Sequence, residues 1–266
     1  MNMKQQCIDI LKKFTGKKKI YFTDRGNTSI MLTLKLAKEL GKEKVFTQDQ
    51  GGWITYEKYI KELKLEEISL ETDYGIVNIS DLKKRTSMDS VLLINSMPGY
   101  FCLQDNMKEI DKLYKKKNAL LINDVSGSIG TDAAKYGDVI IGSFGRWKPI
   151  NVEYGGFIAT DDYNEFFLQN QVEIKEFYKE LYEKLKELDN RLLQFSKVSK
   201  KIKNELKDYD IIHRDKNGIN VIVRIHSPEQ KLEIFDYCKL NSYEFTICPR
   251  YIRVLDDAIS IEVKRL

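Results

Sequence analysis

Short apolar runs bounded by polar turns recur along the chain up to Thr160, and stretches with apolar positions three and four apart separate them. Ile20 to Thr23, Lys44 to Thr47, Val91 to Asn95, Leu120 to Asn123, Val139 to Ile141 and Phe157 to Thr160 read as strands. Ser29 to Leu40, with Ile30, Leu34 and Ala37 on one face, reads as a helix, as do Ile54 to Leu63 and Asn106 to Lys117. Strands alternating with helices predict an α/β class, a three-layer doubly wound and mostly parallel sheet. From Tyr163 to Leu206, Phe167, Val172, Phe177, Leu181, Leu185 and Leu188 fall at helical intervals, which predicts two helices between domains. The remainder reads as strand Ile219 to Ile225, helix Glu229 to Leu240, and strands Tyr243 to Cys248 and Ile259 to Val263, a small C-terminal α+β domain. The predicted organisation is therefore a large domain over 1–165, linking helices over 166–208 and a small domain over 209–266.

Composition narrows the class. With 266 residues, 42% of them hydrophobic, the chain is long enough to bury a full core. Its 44 basic residues are nearly balanced by 40 acidic ones, a net charge of +4, and Lys17-Lys18-Lys19 and Lys115-Lys116-Lys117 read as solvated ends of elements; nucleic acid is not implied. No stretch approaches the roughly 20 apolar residues that span a bilayer, and the first residues lack a signal-peptide core. Cys7, Cys102, Cys238 and Cys248 form no Cys-x-x-Cys pair, so neither a disulfide framework nor a zinc site is suggested, and reduced thiols fit a cytoplasmic location. Only two histidines occur, His213 and His226, both far from the segments below; no metal site and no Ser-His-Asp hydrolase is expected.

The candidate chemistry lies at strand ends. Ile122-Asn123-Asp124-Val125-Ser126-Gly127 finishes a hydrophobic strand on a carboxylate, and Gly142-Ser143-Phe144-Gly145-Arg146-Trp147-Lys148 follows the next strand and ends on an amine. In open parallel sheets ligands gather at the carboxyl ends of strands, where Asp124 and Ser143 fall. Asp24 to Thr28 reads as a turn into a helix. There Gly26 lets the backbone turn tightly, the free amides of the first helical turn point at the anion, and the hydroxyls of Thr28 or Ser29 can donate to it. An amine, an acid and an anion cradle suit pyridoxal 5'-phosphate (PLP), which needs an amine to hold its aldehyde as a Schiff base and a carboxylate to keep its ring nitrogen protonated. Each residue alone has a plainer role, as surface lysine, cap or turn glycine; their ordered co-occurrence carries the reading.

From about residue 20 to 165 the chain resembles a fold-type I PLP enzyme, most nearly the DegT-type aminotransferase family of the aspartate aminotransferase superfamily, in a shortened form. Gly26-Asn27-Thr28-Ser29-Ile30 loosely matches the family's helix start, Asn123-Asp124-Val125-Ser126-Gly127 its acidic element after a strand, and Gly137-Asp138, Ser143 to Lys148 and Tyr154-Gly155-Gly156 its lysine segment. The resemblance implies Lys148 as the Schiff-base lysine and Asp124 as partner of the pyridine nitrogen. It implies Gly26, Asn27, Thr28, Ser126 and Ser143 around the cofactor, Trp53 stacked on its ring, and a homodimer. Gly127 stands where the family carries glutamine, Gly145 where it carries histidine, and Gly99-Tyr100-Phe101-Cys102 where it has a histidine-containing segment. Arg250 and Arg253 are candidates for a substrate carboxylate, with Arg25 and Arg146 as competitors.

The implied activity is transfer of an amino group from an amino acid donor to a small carbonyl acceptor, with Lys148 as covalent attachment point and general base. Two alternatives stand beside it. One is another PLP-dependent reaction, a lyase, a decarboxylase, or sulfur transfer through a cysteine such as Cys102. The other is a non-catalytic binding protein on the same fold.

Overall fold

The structure, a computed structural model, describes residues 2–249 and 254–266. It opens with α1 (Met3–Thr15), β1 (Lys19–Thr23), α2 (Gly26–Glu39), β2 (Lys44–Gln48), α3 (Tyr56–Glu62) and β3 (Glu66–Leu70). There follow the hairpin β4 (Thr72–Asp73) and β5 (Ile76–Val77), then α4 (Ile79–Arg85), β6 (Ser90–Asn95), α5 (Met107–Lys116), β7 (Leu120–Asp124), β8 (Val139–Ser143) and β9 (Gly156–Thr160). Helices α6 (Asn164–Gln169), α7 (Tyr178–Lys186) and α8 (Leu188–Glu205) lead to β10 (Val221–Arg224), α9 (Pro228–Leu240), β11 (Phe245–Cys248) and β12 (Ala258–Ile261).

The large sheet runs β1-β9-β8-β7-β6-β2-β3. Its neighbours from β8 through β3 pair in parallel, and β9 is antiparallel to both β8 and β1. β6 and β7 are buried along their whole length, as strands covered on both faces must be. One face packs Ile30, Leu34, Val45, Ile60 and Val91 beneath α2 and α3, and the opposite side of the molecule gathers Cys7, Leu11, Phe144, Phe157, Leu181 and Leu185 between α1 and α7. Polar side chains tie the strand connections: Asp138 accepts from the Leu121 amide at 2.8 Å, and Asp111 accepts from the Gly137 amide at 3.1 Å.

The predicted class is the observed one, with local corrections. The segment Asp24 to Thr28 is shorter as a turn than its composition suggests, because α2 already begins at Gly26 with extended Arg25 before it. The 163–206 stretch holds three helices, since residues 170–177 leave helical geometry and a turn at Glu187 separates α7 from α8. α7 packs against α1, whereas Phe195 and Ile202 of α8 join Ile219, Val221 and Ile259 in the core of the small domain, whose sheet runs β10-β12-β11.

Candidate functional site

The carboxyl ends of β1, β7 and β8 converge with the loop after β8 on one cavity of about 180 Å³. Gly26, Asn27, Trp53, Asp124, Ser126, Ser143 and Lys148 all line it. Thr28 is the one expected residue outside the lining; its hydroxyl donates to Asp24 Oδ1 at 2.5 Å and so is turned back onto the residues before α2. Ser29, also considered for an anion, is buried with its hydroxyl on Thr23 at 2.8 Å.

Asp124 is buried, and each of its oxygens is engaged once. Oδ1 accepts from the Ser126 amide at 2.9 Å and Oδ2 from the Tyr56 hydroxyl at 2.6 Å. A carboxylate has about four acceptor positions, so capacity remains for a donor in the cavity. Tyr56 gave no signal in the sequence, because an aromatic at the start of α3 reads as core; only the fold brings it under β7.

The opposite wall is built from close approaches. A Cβ on Gly26 would lie 2.7 Å from Ser143 Cβ and 3.4 Å from its Cα, so glycine is needed for the first turn of α2 to reach β8. The Ser143 amide donates to Ser126 Oγ at 3.0 Å, and Ser143 Oγ accepts from the Gly145 amide at 3.1 Å, which leaves the Ser143 proton for an acceptor in the cavity. Gly155, with φ 86, donates its amide to the Asp24 carbonyl at 3.0 Å, and a Cβ on Gly156 would meet the Gly26 nitrogen at 2.9 Å. The glycine pair is thus the turn that lets β9 pass behind the β1–α2 corner. Gly26→Ala should lose about 1 to 3 kcal/mol of stability from overpacking, read as a lowered urea midpoint at unchanged slope.

Lys148 is half-buried in the loop between β8 and β9. Its Nζ donates to the Tyr100 hydroxyl and lies 4.7 Å from the centre of the Trp53 ring and 4.6 Å from that of Tyr100. Trp53 is fixed by its Nε1, which donates to Asn27 Oδ1 at 2.9 Å, with the Thr55 hydroxyl on the same oxygen at 3.3 Å. Asn27 therefore orients the aromatic wall from the start of α2. Tyr100 was visible in the sequence only as a departure from the family pattern, and so was Gly127. The structure joins the two, since a Cβ on Gly127 would lie 2.5 Å from Tyr100 Cδ1.

Arg25 lines the cavity and is exposed, with its Nε on Asp24 at 3.2 Å, while Arg146 extends outward toward Glu153. Arg250 and Arg253 lie outside the described residues. His213 stacks on Phe101 and His226 pairs with Asp210, and neither lines the cavity. Among the described residues no cluster of three or more metal-ligating side chains occurs, and no helix is long and apolar enough to cross a membrane.

Residues 189–266 match the model of the MJ1341 family C-terminal domain. No curated protein matches the chain in sequence. Solved structures are similar over nearly its whole length. The E. coli GDP-4-keto-6-deoxy-D-mannose-3-dehydratase with bound hydrated PLP is 14% identical with a TM-score of 0.76, covering 99% of this chain and 88% of the other. Helicobacter pylori PseC, an aminotransferase involved in the biosynthesis of pseudaminic acid, is 13% identical with a TM-score of 0.73, covering 98% and 86%. Serine palmitoyltransferase from S. paucimobilis, 12% identical with a TM-score of 0.73, covers 98% and 71%. The fold is that of the PLP-dependent transferases. It hosts a dehydratase, an aminotransferase and an acyl-group enzyme among these three, so within PLP-transferase architecture the reaction is decided by side chains in the cavity and not by the sheet.

Proposed function

We propose that this chain is a PLP-dependent enzyme of the aminotransferase-like kind, transferring an amino group from an amino acid donor to a small carbonyl acceptor. The observation that carries the reading is the gathering of Lys148, Asp124, Ser143 and the first turn of α2 around one cavity at the strand ends. The donor set fits the cofactor: an amine for the aldehyde, a buried carboxylate with acceptor capacity for the ring nitrogen, and hydroxyl and amide donors where Gly26 leaves room for a phosphate. When bound, PLP supplies an electron-accepting ring and a carbonyl that captures amines. Lys148 would hold it covalently, Asp124 would face its ring nitrogen, Gly26, Asn27 and Ser143 would receive its phosphate, and Ser126 would brace Ser143. Trp53 would flank the ring, a contact contributing about 0.5 to 1.5 kcal/mol.

For the chemical step Lys148 would move the proton, a role supported by its amine lining the cavity in contact with Tyr100 and Trp53. Arg25, which lines the cavity and is exposed, would pair with a carboxylate of the amino donor. A homodimer in which the neighbour completes the cavity belongs to the same proposal and is checked by sedimentation equilibrium. The test of the central claim is the absorption spectrum of the purified protein with PLP, before and after borohydride. A visible band that is lost on reduction, with the label on the peptide containing Lys148, supports it; no band and no label favours a non-catalytic role.

Sulfur transfer through Cys102 finds no support in the structure. Cys102 is fully buried outside the cavity lining, and burial pushes its thiol far above the ordinary range. Burial likewise pushes Cys7 up to about 11, and Cys238 and Cys248 up to about 12. A thiolate is the reactive form. The expected result is therefore no reaction of the native protein with Ellman's reagent at pH 8 and reaction of all four cysteines in denaturant; rapid native labelling of Cys102 would restore the sulfur-transfer reading.

A further inference from the structure

The Gly99-Tyr100 turn is one place where the small domain meets the large one, beside the His213 bond to the Asp73 carbonyl and the Arg224 bond to Tyr74. The Ile219 amide donates to the Tyr100 carbonyl at 2.7 Å, the Asn220 side chain to the Gly99 carbonyl at 3.4 Å, and the Lys264 amide to the Ile219 carbonyl at 2.8 Å. Tyr100 itself has φ 63, a left-handed conformation that a bulky residue adopts only when its surroundings hold it there. Its ring rests against Gly127, and two ammonium groups approach it. Lys148 is bonded to its hydroxyl, and Lys264 Nζ lies 5.1 Å from the ring centre.

Lys264 is an unusual group to find there. It is buried, and its ammonium is paired with the buried Glu262 and donates to Asn220 Oδ1 at 3.0 Å. Next to it, the guanidinium of Arg265 lies 4.0 Å from the centre of the Trp147 ring, which directly precedes Lys148. Residues 262–265 thus bear on both Tyr100 and the lysine loop. We propose that Tyr100 positions the Lys148 amine, and that Lys264, held on the Tyr100 ring by Glu262 and Asn220, biases the charge of that amine from the small domain. The inference rests on Lys148 being the reacting amine.

The two neighbours act in opposite directions. The Tyr100 oxygen accepts a hydrogen bond from the Lys148 ammonium and favours the charged form, whereas the Lys264 ammonium repels it and favours the neutral form. The repulsion is mutual: burial lowers Lys264 to about 8, the charge of Lys148 adds to the fall, and Glu262 opposes it. Charged groups on the elements around Lys148 include Asp124 and Arg25, which line the same cavity, Arg265 on the Trp147 ring, and the exposed Arg146–Glu153 pair on its own loop.

The test is the pH dependence of trace acetylation at Lys148 by acetic anhydride, followed on the peptide containing it by mass spectrometry before any PLP is added. Tyr100→Phe keeps the ring on Gly127 and removes the hydroxyl. The midpoint of labelling should fall by about one pH unit, so that Lys148 labels roughly tenfold faster at pH values below both midpoints. Lys264→Gln should move the midpoint upward, and Lys264→Arg should leave it near that of the wild type. Should the glutamine variant fail to fold, Tyr100→Phe still decides the positioning by Tyr100. A Tyr100→Phe midpoint equal to the wild type overturns the inference, and a Lys264→Gln midpoint that does not rise removes Lys264 from it. Failure of the wild type to take up PLP would instead sink the proposed function and leave this labelling result standing.

Discussion

Lys148→Ala is expected to fold normally, yet to lose both the visible absorption of the PLP-loaded protein and the borohydride-stable label. The cost to stability is small, because the side chain is half-buried and among its contacts are the Tyr100 hydroxyl and the ring faces of Tyr100 and Trp53. A cation over an aromatic ring contributes about 0.5 to 1 kcal/mol at an accessible site, and Tyr100 lines a cavity that water can enter. The functional loss is of another order. Lys264, the other amine near Tyr100, cannot stand in, because it is buried and already engaged by Glu262 and Asn220. Removing a positioned general base alone lowers turnover about 10² to 10⁴-fold, and the covalent attachment disappears with it. The measurement is the spectrum of wild type and variant at equal PLP, followed by reduction and peptide mapping. A variant that keeps the band and carries the label on another lysine would remove Lys148 from its assigned role.

Much of this site was legible because its parts sit at fixed places relative to strands. Asp124 ends a run apolar enough to be a buried strand, and Ser143 ends the next, so their meeting follows from parallel pairing of β7 and β8. Gly26 carried a signal too, although its reason differs from a simple turn: the backbone there is ordinary, and what forbids a side chain is Ser143. The chain gave less warning where packing over long sequence separations decides. Tyr56 reaches Asp124 across 68 positions, and the departures at Gly127 and Tyr100 became one fact only when the ring was seen against the glycine.

Regular elements escaped notice for related reasons. α1 buries only Cys7, Leu11 and Thr15, a narrow stripe in a polar helix, and β3 is an edge strand whose exposed Glu66 and Glu67 hide its pairing with β2. The hairpin of β4 and β5 is two residues on each side of Tyr74-Gly75, both with positive φ, and too short to show alternation.

Asp124→Asn separates the charge of this residue from its shape. Asparagine keeps one acceptor oxygen for the Ser126 amide, and its amino group can donate to Tyr56, whose hydroxyl turns to accept. The fold should therefore persist, with an urea midpoint close to that of the wild type. On the proposed reading, what is lost is a charge-assisted partner for a protonated ring nitrogen, with the asparagine amino group presenting donors where an acceptor would be needed. A hydrogen bond to a charged group contributes about 1.5 to 3 kcal/mol, so PLP affinity should weaken by about ten- to a hundredfold, read by titration of the visible band. Turnover at saturating PLP should fall as well, because a ring nitrogen that is not kept protonated accepts electrons poorly. Tyr56→Phe is the comparison that assigns the cause: it removes the 2.6 Å bond and leaves the carboxylate, and its effect should be much smaller than that of Asp124→Asn. Equal losses in the two variants would mean that Asp124 acts by bracing the cavity wall; an Asp124→Asn protein that binds PLP as tightly as the wild type would remove the carboxylate from cofactor binding altogether.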